Sequence, residues 1–354
     1  ILNVSNPDVP AVVGSYATPG TAGGVQVVGT LAYVADGIRG LRIVDVSTPG
    51  SPSLHGIYVT VGAARGVDIQ GSFAYVADGG SGGLRVIDIS NSAVPTLRGS
   101  LLTSGTSTAV QVSGTLAYLA DGGNGLVIID ISDPANPTLR GAYNTPGNTV
   151  NLQVIGNLAY LADSGGGLLI VDLSDPANPR LRGSTDDPAQ ANDVDVVGNR
   201  AYVTDELNGL RIFDISDPSS PVLLGNAILP GDVRGVQVAG TAAYVASGIV
   251  GLHVYDVTNA ATPTLLSSVG AALPAQDVNI VGNRAYIAAD SVGLHVVDVT
   301  NPAHPVYLGV YDTPGQAAVV RRIGNQIYIA DGTGGLQILQ PLEGVRDFLP
   351  LILR

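Results

Sequence analysis

Residues 110–143 read VQVSGTLAYLADGGNGLVIIDISDPANPTLRGAY, and this stretch decides the fold. Val110–Ser113 alternates apolar and polar side chains and runs into a Gly-Thr turn. Leu116–Ala120 is a short apolar run closed by Asp-Gly-Gly-Asn-Gly. Leu126–Asp130 is rich in β-branched residues and ends on a carboxylate. A Pro-rich turn, Asp-Pro-Ala-Asn-Pro, then leads to Thr138–Tyr143. Runs of about five residues, alternating or wholly apolar and bounded by Gly, Asn, Asp and Pro, are strands in antiparallel hairpins. Four strands follow one another with no room for a helix.

The same stretch recurs along the chain. Tyr33, Tyr75, Tyr118, Tyr160, Tyr202, Tyr244, Tyr286 and Tyr328 each sit in a segment such as LAYVADG, FAYVADG or QIYIADG, spaced 42 or 43 residues apart. A four-stranded unit of about 40–45 residues, repeated, is the signature of a β-propeller blade. The expected fold is therefore all-β: a single eight-bladed β-propeller with four antiparallel strands per blade, spanning residues 1–342. Seven complete blades run from about Gly24 to Thr313, and an eighth begins at Ala317 with three strands. ILNVSNPDVPAVVGSY at the N-terminus matches the second half of a blade, so residues 10–16 are expected to close the last blade begun at 317. Such closure removes the exposed edges of a free sheet. Ile1–Ser5 and Leu336–Gln340 both match a third strand and compete for one slot. Residues 343–354 form an apolar C-terminal tail with no assigned place.

Composition narrows the function classes. All 16 basic residues are Arg, 27 of the 29 acidic residues are Asp, and Cys, Met, Trp and Lys are absent. A formal net charge of −13 without a basic cluster argues against nucleic acid, whose binding is dominated by phosphate neutralisation. Zero Cys removes disulfides and thiolate chemistry. No apolar stretch approaches the ~20 residues of a membrane span. A chain beginning at Ile1 with no leader fits a processed, exported protein, and the lack of oxidisable Met and Cys points the same way.

The recurring GLxIVDIS and AYVADG phrases resemble the LVIVD repeat over about Ile1 to Leu342. The resemblance implies a β-propeller of the kind found in bacterial and archaeal surface or secreted proteins. It brings no catalytic motif.

Four sets of residues are candidates for chemistry. Asp36, Asp78, Asp121, Asp163, Asp205 and Asp331 follow the second strand of their blades; Ser247 and Ala289, with Asp290 beside it, take that place in blades 6 and 7. A rim of carboxylates could hold Ca²⁺. Asp before Gly is favoured five to one as turn chemistry, each carboxylate bonding its own backbone. Asp45, Asp88, Asp130, Asp172, Asp214, Asp256 and Asp298 end the third strand and are expected to accept N–H groups of the next turn. Gln26, Asp68, Gln111, Gln153, Asp195, Gln237, Asn279 and Arg321 lie on the innermost strands and line the channel. They are either a ligand site, with Arg321 anchoring an anion or pairing with Asp, or an inter-blade hydrogen-bond ring. His253 and His295 occupy one position of adjacent blades, as a two-His metal site or as polar surface residues.

No nucleophile elbow, HExxH, P-loop or Rossmann fingerprint is present in the sequence. Near-identical blades speak against an enzyme, whose site breaks symmetry in one place. The expectation is a non-enzymatic, extracellular structural or adhesion propeller at the cell surface, with no cofactor, and with itself or other surface proteins as partner. Self-assembly into a layer or filament would run through the terminal segments, with Ile1, Leu2, Val4, Phe348, Leu349, Leu351, Ile352 and Leu353 as interface residues, by strand addition to a neighbour. The alternative is a ligand- or ion-binding module at the channel mouth, and after it a propeller lyase or hydrolase. Any asymmetric site is expected in blades 6 and 8, where the repeat is weakest.

Overall fold

The structure is a computed structural model and describes residues 11–48, 51–80, 82–185, 190–229, 232–248, 250–270, 273–323, 326–331 and 336–340. It is an all-β propeller of four-stranded antiparallel blades. Blade 1 comprises Gly24–Val28, Leu31–Ala35, Leu41–Asp45 and Ser53–Tyr58, hydrogen-bonded in chain order from the inside outward. Blades 2 to 7 repeat this meander, with inner strands Ala63–Gln70, Ala109–Ser113, Asn148–Ile155, Ala191–Val197, Val233–Ala239 and Asp277–Val281. An eighth sheet runs Val319–Ile323, Gln326–Ala330, Leu336–Gln340 and, outermost, Ala11–Tyr16 from the other end of the chain. Ala11 pairs with Gln340 and Tyr16 with Leu336. The third-strand slot that Ile1–Ser5 would have contested is thus filled by Leu336–Gln340; residues 1–10 and the tail 343–354 lie outside the described residues. Each inner strand packs beside the next, and Val319–Ile323 packs beside Gly24–Val28.

The core sits between blades. Tyr33, Leu41 and Ile43 of blade 1 bury themselves against Ala74, Val76 and Ile87 of blade 2, and the set recurs around the molecule. Tyr328 and Ala330 of the eighth sheet pack on Ala22, Val25 and Val34 of blade 1. Each large side chain so buried contributes about 1.5–3 kcal/mol.

Gly56, Gly99, Gly141 and Gly183 on the outer strands explain the recurring Arg-Gly or His-Gly. A Cβ on Gly141 would lie 2.3 Å from the Pro176 carbonyl oxygen, in the Pro-rich turn of the next blade, and the other three meet the equivalent backbone at 2.0–2.4 Å. In blade 6 the position is Ser267, whose hydroxyl donates instead to the Pro302 carbonyl at 2.7 Å. Next to these glycines every outer strand of blades 1 to 7 slips register by one residue, leaving His55, Arg98, Arg140, Arg182, Leu224, Leu266 and Leu308 unpaired. Bulges of this kind discourage strand addition at sheet edges.

Candidate functional site at the channel mouth

The inner-strand series forms an inter-blade ladder. The side-chain oxygen of one blade's residue accepts a backbone N–H of the next blade: Asp68 from Val112 at 2.8 Å, Gln111 from Val154 at 2.8 Å and Gln153 from Val196 at 2.9 Å. Asp195 accepts from Val238 at 2.7 Å, Gln237 from Ile280 at 2.6 Å and Asn279 from Arg322 at 2.9 Å. An innermost strand has a free edge, so its N–H groups need partners across the blade boundary. Gln26 and Arg321 complete the series on blade 1 and the eighth sheet. Burial raises the Asp195 carboxyl above the ordinary range against the pull of its two backbone donors.

The post-second-strand carboxylates are spent on structure. Asp36, Asp78, Asp121, Asp163, Asp205 and Asp331 are all fully buried. Five of them bond the Thr-x-Gly connector that arrives from the preceding sheet, 16 to 18 residues upstream, rather than the backbone of their own turn. Asp36 accepts from the Thr18 hydroxyl at 2.5 Å and the Gly20 N–H at 3.1 Å. Asp163 accepts from Thr145 at 2.7 Å and Gly147 at 2.8 Å; Asp331 takes Thr313 and Gly315. Asp78 accepts from Gly62 at 3.0 Å. Asp121 takes the connector hydroxyls of Thr103 and Ser107 at 2.8 and 2.6 Å. Asp205 alone follows the expected local pattern, accepting from Leu207 and Asn208. Buried Arg42 and Arg85 add ion pairs at 2.8 and 3.1 Å. With acceptors aimed at these donors the carboxylates do not converge, and among the described residues no group of three His, Asp or Glu could hold a metal ion. Asp331 is pushed up to about 6, chiefly by burial.

The strand-ending aspartates behave as local turn residues. From Asp45 to Asp298, each of the seven accepts the N–H of the Ser or Thr two residues on, at 2.7–2.9 Å. His253 and His295 are not polar surface residues: they point inward, where blades 1, 2 and 5 carry Arg42, Arg85 and Arg211. His253 Nδ1 meets the Ser268 hydroxyl at 2.8 Å, and His295 Nδ1 meets the Tyr307 hydroxyl. Burial lowers both, His295 to about 4.

Eightfold equivalence breaks one step above the ladder. Two residues before each ladder position stand Gly24, Gly66, Ala109, Asn151, Asp193, Gly235, Asp277 and Val319. Small residues keep the channel open on blades 1 to 3, while Asn151, Asp193 and Asp277 project polar groups on blades 4, 5 and 7. A cavity of about 430 Å³ is lined by these three with Asp195, Arg234 and Arg321 among its walls. The Asp193 carboxylate accepts from Asn151 Nδ2 at 2.6 Å, Val194 N–H at 2.9 Å and Val236 N–H at 3.1 Å. Even so it is raised to about 6, first by burial and then by the like charge of Asp277. Asp277 accepts from Val320 N–H at 3.1 Å and Arg321 Nη1 at 2.6 Å; this pairing raises Arg321. The expected blades 6 and 8 do line this cavity, through Arg234, Gly235 and Gln237 and through Arg321, while its unpredicted carboxylates Asp193 and Asp277 come from blades 5 and 7. Of the expected channel residues, Asp195, Gln237, Asn279 and Arg321 meet at this cavity, and Gln26, Asp68, Gln111 and Gln153 do not line it. Asn151, Asp193 and Asp277 were not anticipated. Comparing the variable position beside the recurring one, rather than the recurring one itself, would have found them.

Among solved structures the fold resembles the computationally designed Ika8 protein, with a TM-score of 0.77 at 12% identity over 93% of this chain and 99% of that one. It also resembles BamB from Moraxella catarrhalis (0.72, 14%, 96% and 100%) and Sqt1 from Saccharomyces cerevisiae (0.78, 7%, 95% and 100%). At such identities the likeness shows the fold alone. No curated protein sequence is a match. The LVIVD repeat matches residues 19–60, 61–103, 104–145, 146–187, 188–227, 230–270, 274–313 and 314–339, one match per sheet, and the chain belongs to the LVIVD-repeat family.

Proposed function

We propose that this chain is a non-enzymatic, extracellular propeller of the structural or adhesion kind, its eight blades closed into one ring, which associates with copies of itself. The observation that carries this reading is an apolar row on the outer rim. Leu54, Leu97, Leu139, Leu181, Leu223, Leu265 and Tyr307, at one position of seven outer strands, are all exposed. Leu139 is 59% exposed and Leu265 53%. Apolar residues at one repeated position mark a contact surface more than scattered exposure does. The bulged outer strands favour contact through side chains over strand addition. An exterior setting is supported by the absence of the oxidisable residues Met and Cys.

Light scattering on the full chain tests this: particles larger than the 35.8 kDa protomer are expected. L97S/L139S/L181S is expected to reduce them, and deletion of 345–354 reports separately on the tail. A wild type that stays monomeric at high concentration overturns self-association.

The cavity at Asp193 and Asp277 favours a second reading, a binding module for a small ligand at the channel mouth. Its polar lining and its position where blade equivalence fails support this. Binding of a small polar solute that is lost on filling the cavity with Gly235→Leu would bear on it directly.

A further inference from the structure

From the cavity at the channel mouth we infer that this protein binds a small zwitterion, a free amino acid, with Asp193 receiving its ammonium group and Arg321 its carboxylate. The inference rests on the reading of the channel mouth as a ligand site and names the chemistry of that site.

Unused hydrogen-bonding capacity of opposite sign on two walls carries the inference. Asp193 Oδ1 accepts from Asn151 and from Val194, while Oδ2 accepts from Val236. A carboxylate has about four acceptor positions, so Oδ2 keeps one. All three donors are neutral, and among the described residues no cation is hydrogen-bonded to the charge. Among the described residues Arg321 spends only Nη1, on Asp277 and on the Val320 carbonyl at 2.6 Å each. Its side chain is 44% exposed, so Nε and Nη2 are left to donate. A guanidinium fork with free donors recognises a carboxylate, and a half-buried carboxylate with a free lone pair recognises an ammonium.

The two walls belong together. Asp277 stands between them, bonded to Arg321 on one side and adding its charge to the field at Asp193 on the other. Gly235, on the blade between Asp193 and Asp277, puts no side chain into the space. A simple cation would meet Arg321, and a simple anion would meet Asp193 and Asp195. A molecule carrying both charges meets complementary groups at each end. About 430 Å³ suits an amino acid and is small for a folded peptide. The lining is mostly polar, so selectivity among side chains would come chiefly from hydrogen bonding to Asn192 and Gln276.

Isothermal titration calorimetry at pH 7.5 on the full chain tests the inference. Each of the twenty amino acids is titrated singly, with ethylammonium chloride, sodium acetate and calcium chloride as single-charge probes. At least one amino acid is expected to bind, and each single-charge probe at least tenfold more weakly. D193N and R321Q are each expected to weaken that amino acid tenfold or more, and Q70A, at the far end of the blade 2 inner strand where Gln70 donates to the Gly114 carbonyl and outside the cavity lining, to leave it unchanged. Asn is compatible with the backbone at this position, because Asn151 fills it in blade 4; a thermal melt by circular dichroism confirms that each variant folds. Equal affinity in wild type and D193N overturns the inference. So does tight binding of ethylammonium, acetate or calcium with no amino acid bound, an outcome that leaves the channel-mouth reading standing. Silence from every titrant overturns both.

Discussion

Blade 1 and blade 6 hold the same inter-blade connector by opposite means. In blade 1 the carboxylate of Asp36 gathers the Thr18 hydroxyl, the Gly20 N–H and Arg42 Nε in a buried polar knot. Blade 6 has Leu229 where Thr18 stands, Ser247 for Asp36 and His253 for Arg42. Leu229 packs against Tyr202, Leu210 and Val233, and burial holds His253 toward its neutral form. Blade 7 goes further, with Ala289 and His295 in the carboxylate and Arg places. A buried ion pair and well-packed neutral groups can serve one site about equally, because the desolvation of two charges offsets most of their attraction. A half-converted site is costly. No blade keeps the buried Arg without the carboxylate, whereas Asp121 and Asp163 stand with Val127 and Leu169 in the Arg place.

The largest expected effect comes from breaking blade 1 halfway. D36A leaves Arg42 buried without its counter-ion and strips the Thr18 and Gly20 donors of their acceptor. It should cost about 3–5 kcal/mol. The triple change T18L/D36S/R42H, which gives blade 1 the blade 6 set, should recover most of that loss. Urea unfolding monitored by circular dichroism reads both. A triple variant no better than D36A would break the equivalence of the two solutions.

Blade 7 offers a smaller, pH-dependent contrast. His295 is held at about 4 in the fold, while an unfolded histidine titrates near 6.5. The unfolded chain therefore binds the proton first, and the stability present above pH 6.5 is lost as pH falls toward 4. The loss should reach about 2 kcal/mol after allowance for partial exposure. Asp331 in the neighbouring sheet acts with the opposite sign. Its folded value of about 6 exceeds an unfolded carboxyl, so the fold takes up that proton first and gains stability over the same window. H295Q should remove the His295 share of the acid loss, leaving that of His253, and make the gain easier to read. Urea midpoints measured between pH 4 and 7 at constant ionic strength would show it; an unchanged acid slope in H295Q would remove His295 from the account.

How far these features can be seen in sequence depends on how local their physics is. The strand-ending aspartates are legible because Asp130 reaches only to Ser132. The strand pairing of Ala11–Tyr16 with Leu336–Gln340 is legible too, since one repeat lacks its last strand and the other end of the chain supplies it. The partner of Asp36 is harder: Thr18 and Gly20 lie one connector upstream, and an Asp-Gly pair suggests a turn of its own. His253 and His295 look like surface residues until the slot they occupy is known to be the buried Arg slot of other blades. Asp193 and Asp277 escape because regular spacing draws the eye to the recurring ladder residue. A binding site is written in the residue that does not recur.

Blade 3 supplies a third way to fill the slot and the smallest of the expected effects. Val127 stands where blade 1 has Arg42, so Asp121 has no guanidinium and turns to hydroxyls and an amide. Thr103 donates at 2.8 Å, Ser107 at 2.6 Å and Asn124 Nδ2 at 2.7 Å. S107A removes one donor of three, and the carboxylate keeps a partner on each oxygen. A lost hydrogen bond to a charged acceptor that remains otherwise satisfied should cost about 1–2 kcal/mol. That is well below the D36A penalty, since no buried charge is orphaned. Unfolding midpoints of S107A and D36A, measured side by side, put the ordering at risk: if S107A costs as much as D36A, counter-ion loss is not what makes blade 1 fragile, and the hydroxyl donors matter as much as the guanidinium.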